Sequence, residues 1–263
     1  MEYLLMKDRF MKLLVFCLFI LCTLFVSVPI ISLFISSGAQ VIYQITNNVV
    51  IDAFIISMKS TLISLIIIII LGLPSAYILA RKKIRFKKYI ETILEIPLVL
   101  PPSVAGLILL IAFGKNGIIG KLLYKIDLKL SFTFWAIVIS QVFVAMPLFI
   151  KTAKNGIEKV DKDLEVTAAT LGDKPIQIFI NITLPLSYSS ILTGAILAWA
   201  RSLAEFGATI MFAGNLSGKT QTLPLAIYSA MEIDMNVSLA MATILVIISV
   251  TILLITKYIS KSG

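Results

Sequence analysis

Six long apolar runs constrain this chain more than any other feature of its sequence. An α-helix rises 1.5 Å per residue, so about 20 apolar residues cross the hydrocarbon core of a bilayer. The sequence therefore predicts an all-α, polytopic membrane protein with about six transmembrane helices in one membrane domain. The predicted spans lie near residues 13–35, 54–80, 90–113, 132–152, 186–212 and 237–258.

The charged residues set the expected orientation of these spans. Hydrophobic residues make up 59% of the chain and charged residues only 14%, so the net charge of +9 does not come from a soluble basic domain. Lys and Arg instead concentrate in two loops, 81–88 and 151–174, and basic loops of this kind are cytoplasmic. We therefore expect a multi-pass protein of the cell membrane, with both termini in the cytoplasm, the lipid bilayer around it and no nucleic acid partner.

The residue types that carry most enzyme chemistry are scarce in this sequence. The chain has no histidine, and its two cysteines, Cys17 and Cys22, fall inside the first apolar run. A metal site would need more ligands than these two thiols, and the sequence offers neither paired carboxylates nor a serine–histidine arrangement. We expect no enzymatic activity of its own, with no catalytic residue, no metal and no cofactor.

The stretch AGNLSGKT, residues 213–220, is similar to the phosphate-binding pattern G-x-x-x-x-G-K-[ST], with Ala213 in place of the first glycine. That pattern needs a preceding strand and a following helix in a soluble sheet, whereas this stretch follows the fifth apolar run on the predicted external side. We interpret it as a polar turn in which Gly214, Asn215 and Gly218 permit tight backbone conformations.

A stretch on the predicted cytoplasmic side, LEVTAATLGDKPIQIFINITLPL at residues 164–186, carries the most informative pattern. Apolar residues before Gly172 recur at steps of three and four, which predicts an amphipathic helix. Gly172 can end that helix in a left-handed conformation, Asp173 can cap the next helix, and Pro175 suits its first turn. Pro185 is then expected to open the fifth span. By periodicity alone, the amphipathic helix could rest on lipid headgroups or dock on a partner protein.

The spacing of this stretch resembles a loop of ABC importer membrane subunits, whose form is E-A-A, three residues, G, nine residues, I-x-L-P. Gly172 stands at the motif glycine, whereas Val166 and Thr167 replace the motif Glu and first Ala, and Glu165 stands one residue early. The resemblance implies a coupling helix after Gly172 that docks in a groove of a separate cytoplasmic ATPase subunit. The positions that it assigns to ATPase coupling are Glu165, Ala168, Ala169, Gly172, Ile182, Leu184 and Pro185.

Two further stretches extend the resemblance from about residue 50 to the C-terminus. Residues 58–81 look like the second span of the same importer class. Residues 198–228, AWARSLAEFGATIMFAGNLSGKTQTLPLAIY, look like the molybdate permease subunits, while sulfate and thiosulfate permeases are less similar and tungstate permeases are also related. The resemblance implies a type I ABC importer permease fold and a homodimer with the pathway at its interface. ABC ATPase subunits and an extracytoplasmic oxyanion-binding protein would be its partners.

The resemblance also divides the chain. Residues 1–49 would hold an N-terminal cytoplasmic segment, the first transmembrane helix and an external loop, residues 50–258 the ABC transmembrane type-1 domain, and residues 259–263 a cytoplasmic tail. A stand-alone secondary transporter would also explain six spans and buried charges. That alternative predicts ion-coupling acids at the midplane and inverted internal repeats, and the sequence displays neither.

Arg201 and Glu205 are the conspicuous charges inside an apolar run. A charged side chain at a helix centre costs about 2.5–3.5 kcal/mol on insertion scales, so both residues need a partner or water. Their i,i+4 spacing places them on one helix face, where they can form an ion pair in the bundle interior. Alternatively, this face, with Ser202 and Phe206, lines the pathway of an anion that Arg201 attracts while Glu205 limits its binding strength.

The third span contains EIPLVLPPSVAG, in which Pro97, Pro101 and Pro102 each remove a backbone donor and kink or break the helix. Irregular backbone at membrane depth must face protein or a water cavity. We therefore treat Pro101, Pro102 and Ser103 as gate candidates, with a kink that serves packing alone as the alternative.

Overall fold

A computed structural model describes residues 2–38 and 40–261, with side chains for 11–38 and 41–258. Over these residues the chain is helical and contains no strand. The helices are α1 Glu2–Ser37, α2 Gln40–Gln44, α3 Asn48–Arg81, α4 Lys87–Val99, α5 Pro102–Phe113, α6 Gly120–Tyr124, α7 Phe134–Lys159, α8 Lys162–Thr170, α9 Pro175–Ile178, α10 Leu184–Leu203, α11 Gly207–Ala213, α12 Leu223–Ile233 and α13 Met235–Lys261.

The membrane-spanning helices agree with the predicted number. Within the described residues, five helices are long and apolar enough to cross a bilayer, and one bent pair of helices brings the number to six. The sequence prediction of an all-α protein with about six spans is therefore confirmed. The five single spans are Met11–Ser37, Asn48–Arg81, Phe134–Lys159, Pro175–Leu203 and Met235–Tyr258.

The third predicted span, 90–113, is not one straight helix. The chain bends by 114° between α4 and α5, and Leu100 and Pro101 form the break between them. Proline lacks the amide donor of a helix interior and disfavours helical backbone at the residue before it, so two successive prolines end α4. Pro97, by contrast, lies inside α4 without ending it.

The fifth predicted span, 186–212, also differs from the structure. The helix begins at Pro175 rather than at Pro185, because a π-helical turn, Phe179–Thr183, joins α9 to α10 without a break. It then ends at Leu203, and the chain is irregular before it re-enters a helix as α11. The apolar run therefore contains a discontinuity that hydropathy does not reveal.

Helices α3, α7 and α10 form the centre of the bundle, and small residues let them approach closely. A Cβ added at Gly72 in α3 would lie 2.6 Å from Phe149, and one at Gly156 in α7 would lie 2.2 Å from the Cβ of Ser190 in α10. In a bilayer, such close backbone approach supplies the van der Waals contact that holds helices together. Helices α5 and α11 pack on the first half of α7, and α12 and α13 pack near the start of α3.

A row of hydrogen-bonded polar side chains also joins these helices. Gln141 of α7 donates to the hydroxyl of Ser60 at 3.1 Å and accepts from that of Ser64 at 2.8 Å, both on α3. The indole nitrogen of Trp199 on α10 donates to Thr61 at 3.1 Å. Because hydrocarbon offers no alternative partners, such bonds fix the rotational position of each helix, at about 0.6 kcal/mol per bond on average.

The contact between α7 and α10 gives a testable prediction. Gly156→Ala should place a methyl group against Ser190 and lower the free energy of unfolding by about 1–3 kcal/mol, as overpacked cores do. The double variant Gly156→Ala/Ser190→Gly removes the opposing Cβ and should recover most of the loss. Thermal unfolding in mild detergent measures both, and a double variant no more stable than the single one would contradict the packing described.

Candidate functional site

The segment between α7 and α10 folds as a helix, a sharp turn and a short helix. Asp161 caps α8 by accepting from the amide of Asp163 at 3.0 Å. Gly172 follows with φ of +99°, and a Cβ built there would have no neighbouring atom within 4 Å. The predicted left-handed turn at Gly172 therefore matches the structure, and the turn is open to whatever approaches it.

The cap of the second short helix differs from the prediction. Lys174, rather than Asp173, is the residue before α9, and its amide donates to the side chain of Gln177 at 2.8 Å. Pro175 is the first helical residue, as predicted. Asp173 is instead part of the turn, where its amide donates to the carbonyl of Ala168 at 3.1 Å and so helps to close α8.

Glu165 holds this segment to the rest of the protein. Its Oε1 atom accepts from Nε of Arg81, at the end of α3, at 3.0 Å and from the hydroxyl of Thr183 at 2.7 Å. Arg81 also donates to the carbonyl of Val160 at 2.8 Å. The Arg81 and Glu165 side chains are only 6% and 15% exposed, so solvent screens the ion pair little. Glu165 therefore links α3, α8 and the start of the fifth span.

The residues that the sequence assigns to coupling take different positions. Ala168, Ile182 and Pro185 line one open groove of about 500 Å³ together with Leu171, which is 83% exposed. Leu184 packs against the central core. The outer surface of the segment presents three further exposed apolar side chains, which are Leu164, Val166 and Ile176. Ala169 is also exposed.

A network of surface ion pairs fixes α4 beside the same end of α7. Lys154 of α7 lies 2.7 Å from Glu91 and Lys151 lies 3.1 Å from Glu95, both acids being on α4. Lys87 extends the network to Glu158 at 3.6 Å. Each exposed pair contributes little alone, but several charges in one network hold a helix that buries no residue fully.

Arg201 and Glu205 form the predicted ion pair, with Nη1 and Oε2 separated by 2.8 Å. They do not share a continuous helix, because α10 ends at Leu203 and Glu205 stands in the break before α11. The other carboxylate oxygen of Glu205 accepts from the amide of Ala208 at 2.8 Å, which satisfies a donor at the start of α11. The Glu205 side chain is 1% exposed, whereas that of Arg201 is 34% exposed.

This ion pair lies near the middle of the bundle. Ala208, whose amide binds Glu205, packs in one buried cluster with Val144 of α7 and Ala105 of α5. Val144 is ten residues after the start of α7 at Phe134 and seven residues before Lys151, so it lies about 10–15 Å from each end of the apolar part of that helix. The charges are therefore far from both membrane surfaces.

The break between α4 and α5 meets the break between α10 and α11. A Cβ added at Gly207 would lie 2.4 Å from the Cβ of Pro102, and one at Gly106 would lie 2.7 Å from the carbonyl of Ala208. Glycine is therefore needed at both positions for the two half-helices to touch. The structure thus brings together two regions that are a hundred residues apart in the sequence.

The candidate pathway residues differ in exposure. Pro101, Pro102 and Ser103 are exposed at the start of α5. Ser202 is fully buried and does not reach an open surface. Phe206 is half-buried, with its ring centroid 5.6 Å from that of Tyr228 on α12.

The AGNLSGKT stretch forms a turn between α11 and α12, as predicted. Gly214 and Gly218 have positive φ angles of 73° and 69°. The hydroxyl of Thr220 accepts from the amide of Leu216 at 3.0 Å, which closes the turn. No strand precedes the stretch within the described residues, so the strand context of a phosphate loop is missing.

The sequence did not predict the hydrogen-bond partners of two candidate site residues, Glu165 and Glu205. Arg81 and Thr183 bind Glu165, and Ala208 binds Glu205. Arg81 was visible only as one of several basic residues in its loop. Only the position of Arg81 in the sequence pointed to its ion pair with Glu165. Arg81 is the last residue of a long apolar helix, and its charge must find a partner at that boundary.

Comparisons with known proteins agree on one family. Residues 68–262, about three quarters of the chain, match the model of the family described as binding-protein-dependent transport system inner membrane component. The molybdenum transport system permease protein ModB of Haemophilus influenzae is 39% identical over 214 residues, which cover 80% of this chain and 93% of that protein.

Two further relatives have similar coverage. ModB of Mycobacterium tuberculosis is 38% identical over 202 residues, covering 77% of this chain and 76% of that protein. The sulfate transport system permease protein CysT of Escherichia coli is more distant, at 32% identity over 243 residues, covering 92% of this chain and 87% of that protein.

The fold matches that of solved type I ABC importer permeases. A chain of a bacterial alginate ABC transporter, solved in complex with a periplasmic protein bound to an alginate pentasaccharide, superposes with a TM-score of 0.71. The match covers 96% of this chain and 93% of that one, at 16% sequence identity. At this identity the likeness establishes the fold alone.

The bonds of Glu165 predict a graded effect on stability. Glu165→Gln leaves the Arg81 guanidinium without its counter-charge and should lower the free energy of unfolding by about 2–3 kcal/mol, less than a fully buried pair would cost because Glu165 keeps some solvent contact. Thr183→Val removes one neutral donor to the same oxygen and should cost only about 1 kcal/mol.

Chemical denaturation in detergent, with hydrogen exchange of α8 amides, measures both losses. The matched double variant Arg81→Gln/Glu165→Gln should be more stable than Glu165→Gln alone, because no unpaired charge remains. Equal losses for Glu165→Gln and Thr183→Val would show that the charge of Glu165 is not what holds the segment.

Proposed function

The chain belongs to the family of binding-protein-dependent transport system inner membrane components, and we propose on that basis that it imports molybdate, or a closely related oxyanion, as the membrane-spanning subunit of an ABC transporter. Relatives at 38–39% identity are named molybdenum transport permeases, which supports the choice of ion. In this proposal two copies form the pathway at their interface, separate ATPase subunits hydrolyse ATP, and an extracytoplasmic binding protein delivers the oxyanion. Both termini lie in the cytoplasm, and residues 50–258 form the transport domain.

The structural observation that most supports this proposal is the exposure of the Arg201 side chain. Its side chain is 34% exposed near the middle of the bundle, where a cation facing lipid would cost several kcal/mol. We therefore assign its exposed part to an aqueous space at the interface of the two copies. A fixed positive charge in such a space attracts anions and repels cations, as a pathway for an oxyanion requires.

Glu205 supports this role by limiting the charge at the site. Its carboxylate is buried, pairs with Arg201 and also binds the backbone of α11, so it cannot leave without exposing an unsatisfied amide. Conduction requires binding strong enough for entry and weak enough for release. An arginine already paired with a carboxylate meets that requirement better than a free one.

The meeting of the two helix breaks supports a gate at the same depth. Pro101, Pro102 and Ser103 are exposed, and Pro102 touches Gly207 just beyond the Arg201–Glu205 pair. Helix ends without a continuous backbone ladder can move with less loss of hydrogen bonding than a helix interior. We assign the opening and closing of the pathway to the contact between α5 and α11.

The segment around Gly172 fits the role of coupling to the ATPase. It presents exposed apolar side chains outside the bundle, including Val166 and Leu171, and leaves the space above Gly172 empty. Exposed apolar patches rimmed by polar residues mark protein interaction sites. Because Glu165 ties the segment to Arg81 and Thr183, force applied there by an ATPase would reach α3 and, through the π-helical turn, α10.

Sulfate is the second candidate substrate. The relative CysT is named a sulfate permease and matches nearly the whole chain at 32% identity. Molybdate and sulfate are both tetrahedral dianions, and a guanidinium group binds either one through the same charge-assisted hydrogen bonds. The higher identity of the molybdenum permeases places sulfate second.

The proposed anion pathway predicts a specific defect. In vesicles that contain the whole transporter, Arg201→Gln should reduce molybdate uptake at least about tenfold, because one charge-assisted interaction of about 1.5–3 kcal/mol is lost along the pathway. Arg201→Lys keeps the charge and should retain more of the uptake. Glu205→Gln should slow release and lower the maximal rate.

Competition by sulfate in the same vesicles tests the choice of ion. Lys219→Ala, in the turn between α11 and α12, is the control for loss of one positive charge and should transport normally. Normal uptake by a folded Arg201→Gln protein would remove Arg201 from the pathway, and uptake abolished by equimolar sulfate but not by tungstate would favour the second candidate.

The coupling proposal predicts that Gly172→Val separates assembly of the membrane subunit from its function. A β-branched residue at φ +99° should strain the turn by about 1–3 kcal/mol and obstruct the approach of an ATPase. The subunit should still insert in the membrane and form homodimers, while ATPase association and oxyanion uptake fail together.

Gly218→Val provides the matched control. Gly218 also has positive φ in an open turn, but that turn adjoins the first end of α7 rather than the end that bears α8. Pull-down of the ATPase with each variant measures the difference. Full association by Gly172→Val, or equal loss with both variants, would show that the Gly172 segment is not the coupling element.

A further inference from the structure

A groove lies between the last turns of α3 and the short helix α9 with its following π-helical turn. We propose that it binds one anionic phospholipid, with an acyl chain along the groove and the headgroup phosphate on Lys82. The groove encloses about 430 Å³, within the range of about 300–1,000 Å³ that ligand sites occupy. Its lining combines apolar side chains with one cation: Leu73, Pro74, Tyr77, Ile176, Phe179 and Lys82.

The depth of the groove favours a lipid over a soluble partner. Arg81 ends the apolar part of α3, and Leu73 precedes it by eight residues, which places Leu73 about 12 Å farther along the helix axis, toward the hydrocarbon. Pro74 is exposed at this depth. A soluble protein docked at the membrane surface would not extend that far, whereas an acyl chain naturally occupies it.

The charges at the mouth of the groove favour an anionic headgroup. Arg81 is paired with Glu165 and Lys87 with Glu91 and Glu158. The other four cations of this loop are Lys82, Lys83, Arg85 and Lys88. Among the residues whose side chains the structure describes, no carboxylate lies within 4.0 Å of any of these four. Each cation near a membrane surface attracts anionic lipid by about 1 kcal/mol.

Aromatic side chains mark the same level as a membrane interface. Tyr77 meets Phe179 edge to face inside the groove, with ring centroids 4.9 Å apart. Phe86 and Tyr89, in the adjoining loop and helix, are exposed by 62% and 68%. Aromatic and basic residues together are typical of the headgroup region of a bilayer.

The position of the site gives the lipid a mechanical role. Ile176 and Phe179 belong to the segment that carries Gly172, while Leu73 and Tyr77 belong to α3. A lipid in the groove would therefore contact both elements that Glu165 joins. It would stabilise the segment in its observed position without depending on which oxyanion the protein carries.

Native mass spectrometry of the purified full chain in detergent tests the proposal. The protein is titrated with phosphatidylglycerol and, separately, with phosphatidylcholine of the same acyl chains. One phosphatidylglycerol should bind more tightly than phosphatidylcholine, and Lys82→Ala should weaken it about fivefold, the equivalent of about 1 kcal/mol. Lys88→Ala removes a charge from the same region outside the groove and should change the affinity less than about twofold.

A second variant tests the acyl chain. Leu73→Trp should fill the groove and weaken both lipids, and an unchanged thermal unfolding temperature in detergent shows that this loss does not come from misfolding. Phosphatidylglycerol binding no tighter than phosphatidylcholine, or equal losses from Lys82→Ala and Lys88→Ala, would overturn the site and leave only diffuse surface charge. A Leu73→Trp protein that loses its homodimer while binding lipid normally would identify the groove as a subunit contact and would also overturn the proposal.

Discussion

The absence of water in the hydrocarbon core is the constraint on which the rest of this structure depends. A polar group at that depth needs a partner within the protein or in a water-filled cavity. The serines and threonine of α3 meet Gln141 and Trp199 for this reason, and their bonds set how α3, α7 and α10 face one another. Close glycine contacts then supply the packing that hydrophobic burial cannot supply in lipid.

The same constraint explains how the protein tolerates two broken helices at mid-depth. A break exposes amides and carbonyls, so it persists only where other groups satisfy or shield them. Glu205 binds the amide of Ala208 beyond one break, and the two breaks press together where Pro102 meets Gly207. Arg201 neutralises the carboxylate that this arrangement requires. Glu205, which satisfies the backbone amide at the break, is thus also part of the charged site that we assign to the pathway.

Outside the bundle, one carboxylate organises the region proposed for coupling. Glu165 is the common partner of Arg81, at the end of α3, and Thr183, in the π-helical turn that leads into α10. The ion pairs of Lys151 and Lys154 hold α4 to the neighbouring end of α7. Movement of the Gly172 turn would therefore act on the end of the bundle that these ion pairs hold together.

The sequence by itself determined the class of fold, the number of spans, the proline break in the third span and the turn at Gly172, because each depends on local hydropathy or on the backbone preferences of one or two residues. It also placed Arg201 and Glu205 within reach of each other. Only the tertiary structure decided the start of the fifth span at Pro175, the break after Leu203 and the pairing of Arg81 with Glu165. The physical reason is that these features depend on contacts between residues far apart in the chain, such as Pro102 with Gly207, whose energies no local pattern records.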